Sequence, residues 1–289
     1  MLLEAFAKIN WSLDITGIRE DGYHLMDMVM QPVSIADEIT LEPSATMEIT
    51  TGGFPHSRAD ESNLAMAAAR TLRDHAGYPH GVRIHLHKRI PMGAGMGGGS
   101  ADAAAVLFGL NRLWNLNLSA GELEAIGLQI GADVPFCLRG GLTRTRGIGE
   151  MLEDHACRTN YWLLIIQPCR GLSTREIFQG YHEAESIRHP ETENVLRALE
   201  SGDLSLLSAA ACNVLETVSA VRRPEIAAAV RDLVACGSLF AAMTGSGSAV
   251  FGVFRSRNAA VTAMEFLARR YRSVLLCHTQ TDSIRIMDD

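Results

Sequence analysis

The sequence predicts an α+β protein in two parts, and three observations lead there. Segments with strand and helix patterns mix in both halves of the 289 residues. A dense glycine cluster stands at a strand-to-helix junction in the first half, and a second glycine-rich stretch separates two apolar runs in the second half. Hydrophobic residues make up 47% and charged residues 20%, enough apolar material for one large core or two ordinary ones, with no sign of disorder. No linker composition marks a boundary. The change of pattern near residues 150 to 160 divides the chain into 1–155 and 156–289.

The elements follow in order. The first eight residues read as a strand running into Asn10. A helix is expected over 62–75, with Leu64, Ala68 and Leu72 on one face and Gly77 as its stop. Val82, Ile84 and Leu86 alternate with polar residues, the period of a half-buried strand, and Pro91 marks the turn after it. The glycine cluster then leads into an alanine-rich helix reaching about Trp114. Ser119 and Glu122 have capping-box spacing, and Leu123, Ile126 and Ile130 give the helix behind them an apolar face. In the second half Pro224 suits the first turn of a helix and Asn258 caps another, which carries Arg269 and Arg270 near its end. Strands are expected over 162–166, 239–243, 249–254 and 274–278.

The formal net charge is -7, and no basic stripe is visible, which argues against nucleic acid as a partner. Six cysteines lack C-x-x-C or zinc-like spacing and read as reduced, mostly buried thiols of a cytoplasmic protein. The apolar stretch at the N-terminus is too short for a signal peptide. Residues 233–254 carry no charge and are long enough to span a bilayer, but Thr244-Gly245-Ser246-Gly247-Ser248 at their centre reads as a tight loop between two buried strands.

The glycine cluster carries the strongest chemical signal. Gly93, Gly95, Gly97, Gly98 and Gly99 fall within seven positions, followed by Ser100. Glycine lets the backbone approach a ligand closely, and the helix behind the loop offers unpaired N–H groups and the positive end of its dipole. Together these suit a di- or triphosphate. The dinucleotide pattern Gly93-x-Gly95-x-x-Gly98 is satisfied, yet the acidic strand end it needs about twenty residues later is not there. The Walker loop requires Gly-Lys-Ser/Thr where this chain has Gly99-Ser100-Ala101, and protein-kinase signatures are missing.

The run Pro91-Met92-Gly93-Ala94-Gly95-Met96-Gly97-Gly98-Gly99-Ser100-Ala101-Asp102 resembles the phosphate loop of the GHMP kinases. Ala7-Lys8-Ile9-Asn10 is similar to that family's N-terminal motif, and Met243 to Ser248 to its third motif. Further blocks, Arg19 to His24, Gly131 to Phe136, Gly147 to Glu150 and Leu172 to Thr174, resemble the branch of the family that acts in non-mevalonate isoprenoid precursor synthesis. The resemblance implies ATP and magnesium as cosubstrate and cofactor, and a cytidine-diphosphate-linked methylerythritol as phosphoryl acceptor. It implies an N-terminal domain with a left-handed βαβ unit, a ferredoxin-like C-terminal domain and a cleft between them.

By the same resemblance Asp133 takes or orients the proton of the attacking hydroxyl, and Lys8 beside it keeps that carboxylate ionised. Read from residues alone, Asp133 before Val134-Pro135 is equally a helix cap and Lys8 a surface lysine. Residues Pro91 to Ala101 would hold the nucleotide, with Asn63 and Lys88 as further candidates on that side. Ser100 would hold magnesium or a phosphate oxygen, or only cap its helix. Asn10 would bind the acceptor. Tyr23 would stack on the cytosine, His24 would read its edge, and Phe178 would cover its other face. Gly245, Ser246 and Gly247 would close the cleft. One departure stands out: Asn213-Val214-Leu215-Glu216 has Val214 where the family often carries aspartate, which puts loop support by that position in doubt. Rival readings are a kinase of another small alcohol, a silent ligand sensor on the same fold, and a nucleotide-cofactor oxidoreductase.

Overall fold

A computed structural model describes residues 1–53, 59–60, 62–157, 159–181 and 187–287. The chain opens with two long antiparallel strands, β1 (Leu2–Ile18) and β2 (His24–Ser44), joined by a turn at Asp21-Gly22. Every residue of β1 from Ala5 to Leu13 is buried, on both faces of the strand, so it shows little of the alternation that reveals a half-buried strand. Its pairing with β2 shifts register between Phe6 and Lys8 and again between Asn10 and Ser12. Such irregularities re-aim side chains, and they bracket Lys8, Ile9 and Asn10.

β3 (Glu48–Gly53), α1 (Leu64–Ala76) and β4 (Gly81–Lys88) form a crossover unit, with β3 parallel to β4. Asn63 caps α1 by accepting from Ala65 N at 3.0 Å, and Gly77 ends it in the left-handed region at φ 60°. α2 (Gly98–Leu113) is buried nearly all round, and its alanines let it lie between the sheet and the helices α1, α3 (Ala120–Ile130) and α4 (Val134–Arg139). The expected capping box is present: Ser119 Oγ accepts from Glu122 N, and Glu122 Oε2 accepts from Ser119 N at 2.8 Å. β5 (Leu142–Gly147) and β6 (Met151–His155) complete this side.

The second sheet contains β7 (Trp162–Ile166), β8 (Phe240–Met243), β9 (Val250–Phe254) and β10 (Val274–His278) in the antiparallel order β10-β7-β9-β8. Between β7 and β8 run α5 (Thr174–Tyr181), α6 (Thr192–Ser201), α7 (Leu204–Ala210), α8 (Val214–Arg222) and α9 (Pro224–Ala235); α10 (Arg257–Leu267) connects β9 to β10. Strand order and connections are those of a split β-α-β, ferredoxin-like sheet. β11 (Ile284–Ile286) then pairs with β1. The chain therefore ends on the first sheet, so a division into 1–155 and 156–289 does not follow the two sheets.

Trp11 locks the halves together. It is fully buried on β1, yet its ring packs edge-on against Tyr161 at 5.4 Å and Phe251 at 5.7 Å in the second half. Its indole N–H donates to Gln31 Oε1 at 2.9 Å, which satisfies the one polar atom it carries.

Several expectations need correcting. α10 is capped by Ser256, whose Oγ accepts from Ala259 N, and Asn258 lies inside the helix. Arg269 and Arg270 follow the helix end, and Arg270 pairs with Asp232 at 2.8 Å. Of the six unpaired cysteines only Cys137 and Cys277 are buried. The uncharged stretch 233–254 is the end of α9, then β8, a loop and β9, and among the described residues no helix is long and apolar enough to cross a membrane. The capping box at α3 gives a stability test away from the cavities: Ser119→Ala is expected to cost about 1 kcal/mol, read as a lower urea midpoint at unchanged slope.

Candidate active site

Two cavities meet at the N-terminus of α2. The larger, about 1130 Å³, is lined by Lys8, Tyr23, His24, Asp133, Phe178, Gly245 and Ser246 among others. The smaller, about 380 Å³, is lined by Asn63, Lys88 and every residue from Ile90 to Ser100. Gly95, Gly97 and Ser100 line both. The junction therefore lies where free helix N–H groups and the positive dipole end favour an anion.

At that junction Lys8 Nζ stands 3.4 Å from Asp133 Oδ2 and donates to Asn10 Oδ1 at 2.7 Å. The lysine stem passes beneath Gly97, where a Cβ would come within 3.0 Å of Lys8 Cγ. Asp133 sits at the N-cap position of α4 but makes no side-chain capping bond. Its carboxylate faces the cavity with Lys8, so the helix-cap reading is set aside. Lys8 is 3% exposed and is not a surface lysine.

Four of the expected site residues lie elsewhere or are otherwise engaged. Asn10 is buried and does not line the cavity; its Oδ1 accepts from Lys8 Nζ and Gly245 N, and its Nδ2 donates to Met28 Sδ. Ala101 is buried inside α2, and Gly247 lies behind Gly245 and Ser246, its N–H donating to Thr244 O at 3.0 Å. Lys88 forms part of the smaller cavity wall, but its ammonium is held by Asp37 and by Asp102 Oδ2, the latter at 2.6 Å. Two of its three N–H groups are thereby taken by carboxylates.

This ion cluster braces the phosphate loop. Asp37 Oδ1 also accepts from the backbone of Arg89 and Ile90, and Asp102 stands in the first turns of α2. Two carboxylates share one ammonium with almost no access to water. Asp102 Oδ1 is buried with no hydrogen-bond partner. Burial pushes the Asp102 carboxyl up to about 8, against the pull of Lys88 and with the push of Asp37. A proton on Asp102 brings the cluster close to neutrality.

In the larger cavity, Tyr23 is 61% exposed at the rim, and His24 meets the Phe178 ring at 4.8 Å. Phe178 is thus on the cavity wall and not in the core. Sequence reasoning missed Arg175 and Gln179, which share that wall with Thr174 and Phe178. The spacing of Thr174 and Phe178, one helical turn, is the signal that could have found them.

The glycine-cradled anion site opening beside a lysine–aspartate pair suits transfer of a phosphoryl group between two small molecules, and this class of protein is the small-molecule kinases. Residues 63–141 match the family model for the GHMP kinases N terminal domain and residues 195–273 that for the GHMP kinases C terminal region. The chain belongs to the GHMP kinase family. Among its relatives, the 4-diphosphocytidyl-2-C-methyl-D-erythritol kinase of Alkaliphilus metalliredigens is 39% identical, over 95% of this chain and 94% of that one. The enzyme of the same name from Clostridium tetani is 38% identical over 96% of this chain and 100% of that one. A crystal structure of 4-(cytidine 5'-diphospho)-2C-methyl-D-erythritol kinase superposes with a TM-score of 0.82 at 34% identity, covering 96% of this chain and 99% of the other.

The buried cluster makes a pH prediction. Asp102 holds its proton in the folded chain at pH values where the unfolded carboxyl, ordinarily near 3.8, has lost it. Its contribution is full below the unfolded value and is lost as pH rises through about 8. Relative to Asp102→Asn, which cannot ionise, the wild-type chain is expected to lose stability from about pH 5 to about pH 8, by at most about 1.4 kcal/mol per unit. Urea unfolding of both proteins across that range checks it, and a constant difference would contradict the assignment.

Proposed function

We propose that this chain transfers the γ-phosphoryl group of ATP to the 2-hydroxyl of 4-diphosphocytidyl-2-C-methyl-D-erythritol, a step of non-mevalonate isoprenoid precursor synthesis. The observation that carries the reading is the Lys8–Asp133 pair at the junction of the two cavities. ATP occupies the smaller cavity, with its phosphates at the N-terminus of α2 and its base toward Asn63. The acceptor occupies the larger one, with cytosine among Tyr23, His24 and Phe178 and the methylerythritol at the junction.

Phosphoryl transfer has a loose transition state, and most of the catalysis comes from positioning and charge. Asp133 orients the acceptor hydroxyl and receives its proton as the bond to phosphorus forms. Lys8 offsets the charge that gathers there, and Asn10 fixes the lysine's direction. The loop N–H groups bind the phosphate oxygens.

Magnesium fits the oxygen donors at the junction, Asp133 and the Ser100 hydroxyl, both on the larger cavity wall. Among the described residues no cluster of three or more His, Cys, Asp or Glu could hold a metal by itself. An ion carried by nucleotide phosphates needs few protein ligands. When bound it neutralises negative charge on the transferring phosphates. The protein is read as a cytoplasmic enzyme that needs no nucleic acid or membrane partner.

ADP release measured with ATP, magnesium and the cytidyl acceptor, beside mevalonate, homoserine and galactose, tests the reading. Turnover is expected with the cytidyl substrate alone. Asp133→Ala is expected to lower kcat by about 10²- to 10⁴-fold with little change in the KM for ATP. Activity on a different alcohol would keep the kinase and discard this acceptor.

A further inference from the structure

The acceptor proposed above carries a diphosphate bridge with a negative charge on each phosphorus. The wall of the larger cavity includes two basic side chains other than histidine among the described residues, Lys8 and Arg175. Lys8 is occupied by Asp133 and Asn10. Arg175 has no carboxylate partner among the described residues and stands exposed on the wall. Of the acidic lining residues, Asp21 is held by Arg19 at 2.9 Å and Asp133 by Lys8. Among the described residues Arg175 therefore leaves an uncompensated positive charge on the wall of a cavity within an acidic chain.

Its place along the wall is set by α5. Thr174, Arg175, Phe178 and Gln179 all line the cavity, so one flank of this helix faces it. At the start of the helix, Thr174 Oγ1 and Ser246 Oγ are 2.9 Å apart, which ties this end to the glycine loop of the second half. One turn later the Phe178 ring meets His24. A helix rises about 1.5 Å per residue, so Arg175 precedes Phe178 by about 4.5 Å along the axis. An acceptor with its base at Phe178 and its hydroxyl at Asp133 carries its diphosphate past this stretch. Arg175 lines only the larger cavity and takes no part in the smaller one.

We propose that Arg175 binds the diphosphate bridge of the acceptor and so selects a nucleoside-diphosphate-linked alcohol over an uncharged one; this rests on the acceptor reading given above. A guanidinium presents a planar fork of donors that matches phosphate oxygens, and a charge-assisted bond of this kind contributes to affinity. It holds the bridge equally in ground state and transition state, because the bridge takes no part in the reaction. The effect therefore falls on KM and not on kcat.

Steady-state ADP release with ATP, magnesium and the cytidyl acceptor separates the outcomes. Arg175→Ala is expected to raise the KM for the acceptor by about tenfold to a hundredfold, with kcat and the KM for ATP within about twofold of wild type. Arg175→Lys is expected to recover part of the loss, since charge returns without the fork. The acceptor KM of the wild type is expected to rise with ionic strength more steeply than that of Arg175→Ala. An unchanged acceptor KM in an active Arg175→Ala enzyme, or a rise in the KM for ATP of the same size, would overturn the assignment while leaving the acceptor reading intact. A wild-type enzyme inactive on the cytidyl acceptor would overturn both.

Discussion

The structure depends on a backbone-to-backbone contact between two glycine loops, one from each half. A Cβ on Gly95 would overlap the carbonyl oxygen of Thr244, and one on Gly245 would fall 2.6 Å from Gly95 O. Both residues also have positive φ, 77° and 56°, so neither position suits a residue with a side chain. The approach is fastened by Ala249 N donating to Ala94 O at 3.1 Å, and Lys8 N donates to Met96 O at 3.0 Å on the other side of the loop. The phosphate loop is thereby held between β1 and the second sheet. Asn10 completes the arrangement. Its single carboxamide oxygen accepts from Lys8 Nζ, Gly245 N and, at 3.3 Å, Thr244 Oγ1. One buried oxygen thus couples the lysine of the candidate site to the loop of the opposite half, which explains why asparagine suits a position with no access to the cavity.

The loop at 244–248 needs its own support, because a segment so rich in glycine loses much entropy on ordering. α8 supplies it from residues three apart. Asn213 Nδ2 donates to Met243 O and Gly245 O, Glu216 accepts from Met243 N, and Ser219 Oγ donates to Ser246 O. Burial pushes the Glu216 carboxyl up, while its bond from Met243 opposes the shift. Val214 is buried at 1% exposure between these supports. The departure from the family's usual aspartate therefore leaves the loop contacts intact, since Asn213, Glu216 and Ser219 make them.

Much of this was legible because it rests on local chemistry. Caps, turns and the glycine-rich loops advertise themselves through residue types that few other backbone geometries need. The strands beneath the site were harder. β1 is buried on both faces along most of its length and shifts register three times, so neither period nor length could be read from its pattern. Lys8 and Asp133 lie 125 positions apart by number, and only the fold, or a family resemblance, brings them together. The bracing contacts of Asn10 and Lys88 are not legible in sequence for one reason: a polar residue near a ligand motif reads the same whether it faces the ligand or braces the loop behind it. Asp102 offered a clue. A carboxylate in an alanine run that is otherwise set to be buried must find a cation, and Lys88 and Arg89 at the end of the preceding strand are the nearest in sequence on that side; Lys88 supplies it. Arg175 offered only the helical spacing of its neighbours Thr174 and Phe178, because an exposed arginine in a polar helix turn is ordinary.

The charge arrangement follows from the same geometry. A chain with a formal net charge of -7 must build an anion site against its own field. The N-terminus of α2 provides partial positive charge, but two buried carboxylates stand close beneath it. Fully ionised, with one ammonium between them, they would add a net negative charge under the phosphate loop. A proton held on Asp102 removes that charge while keeping Asp37 and Lys88 as braces for Arg89, Ile90 and the start of α2. The brace can then be strong without opposing the ligand. With Lys8 and Arg175 on the wall of the larger cavity and the Lys88 ammonium held by Asp37 and Asp102, the smaller cavity offers an anion mainly the backbone N–H groups of the glycine loop.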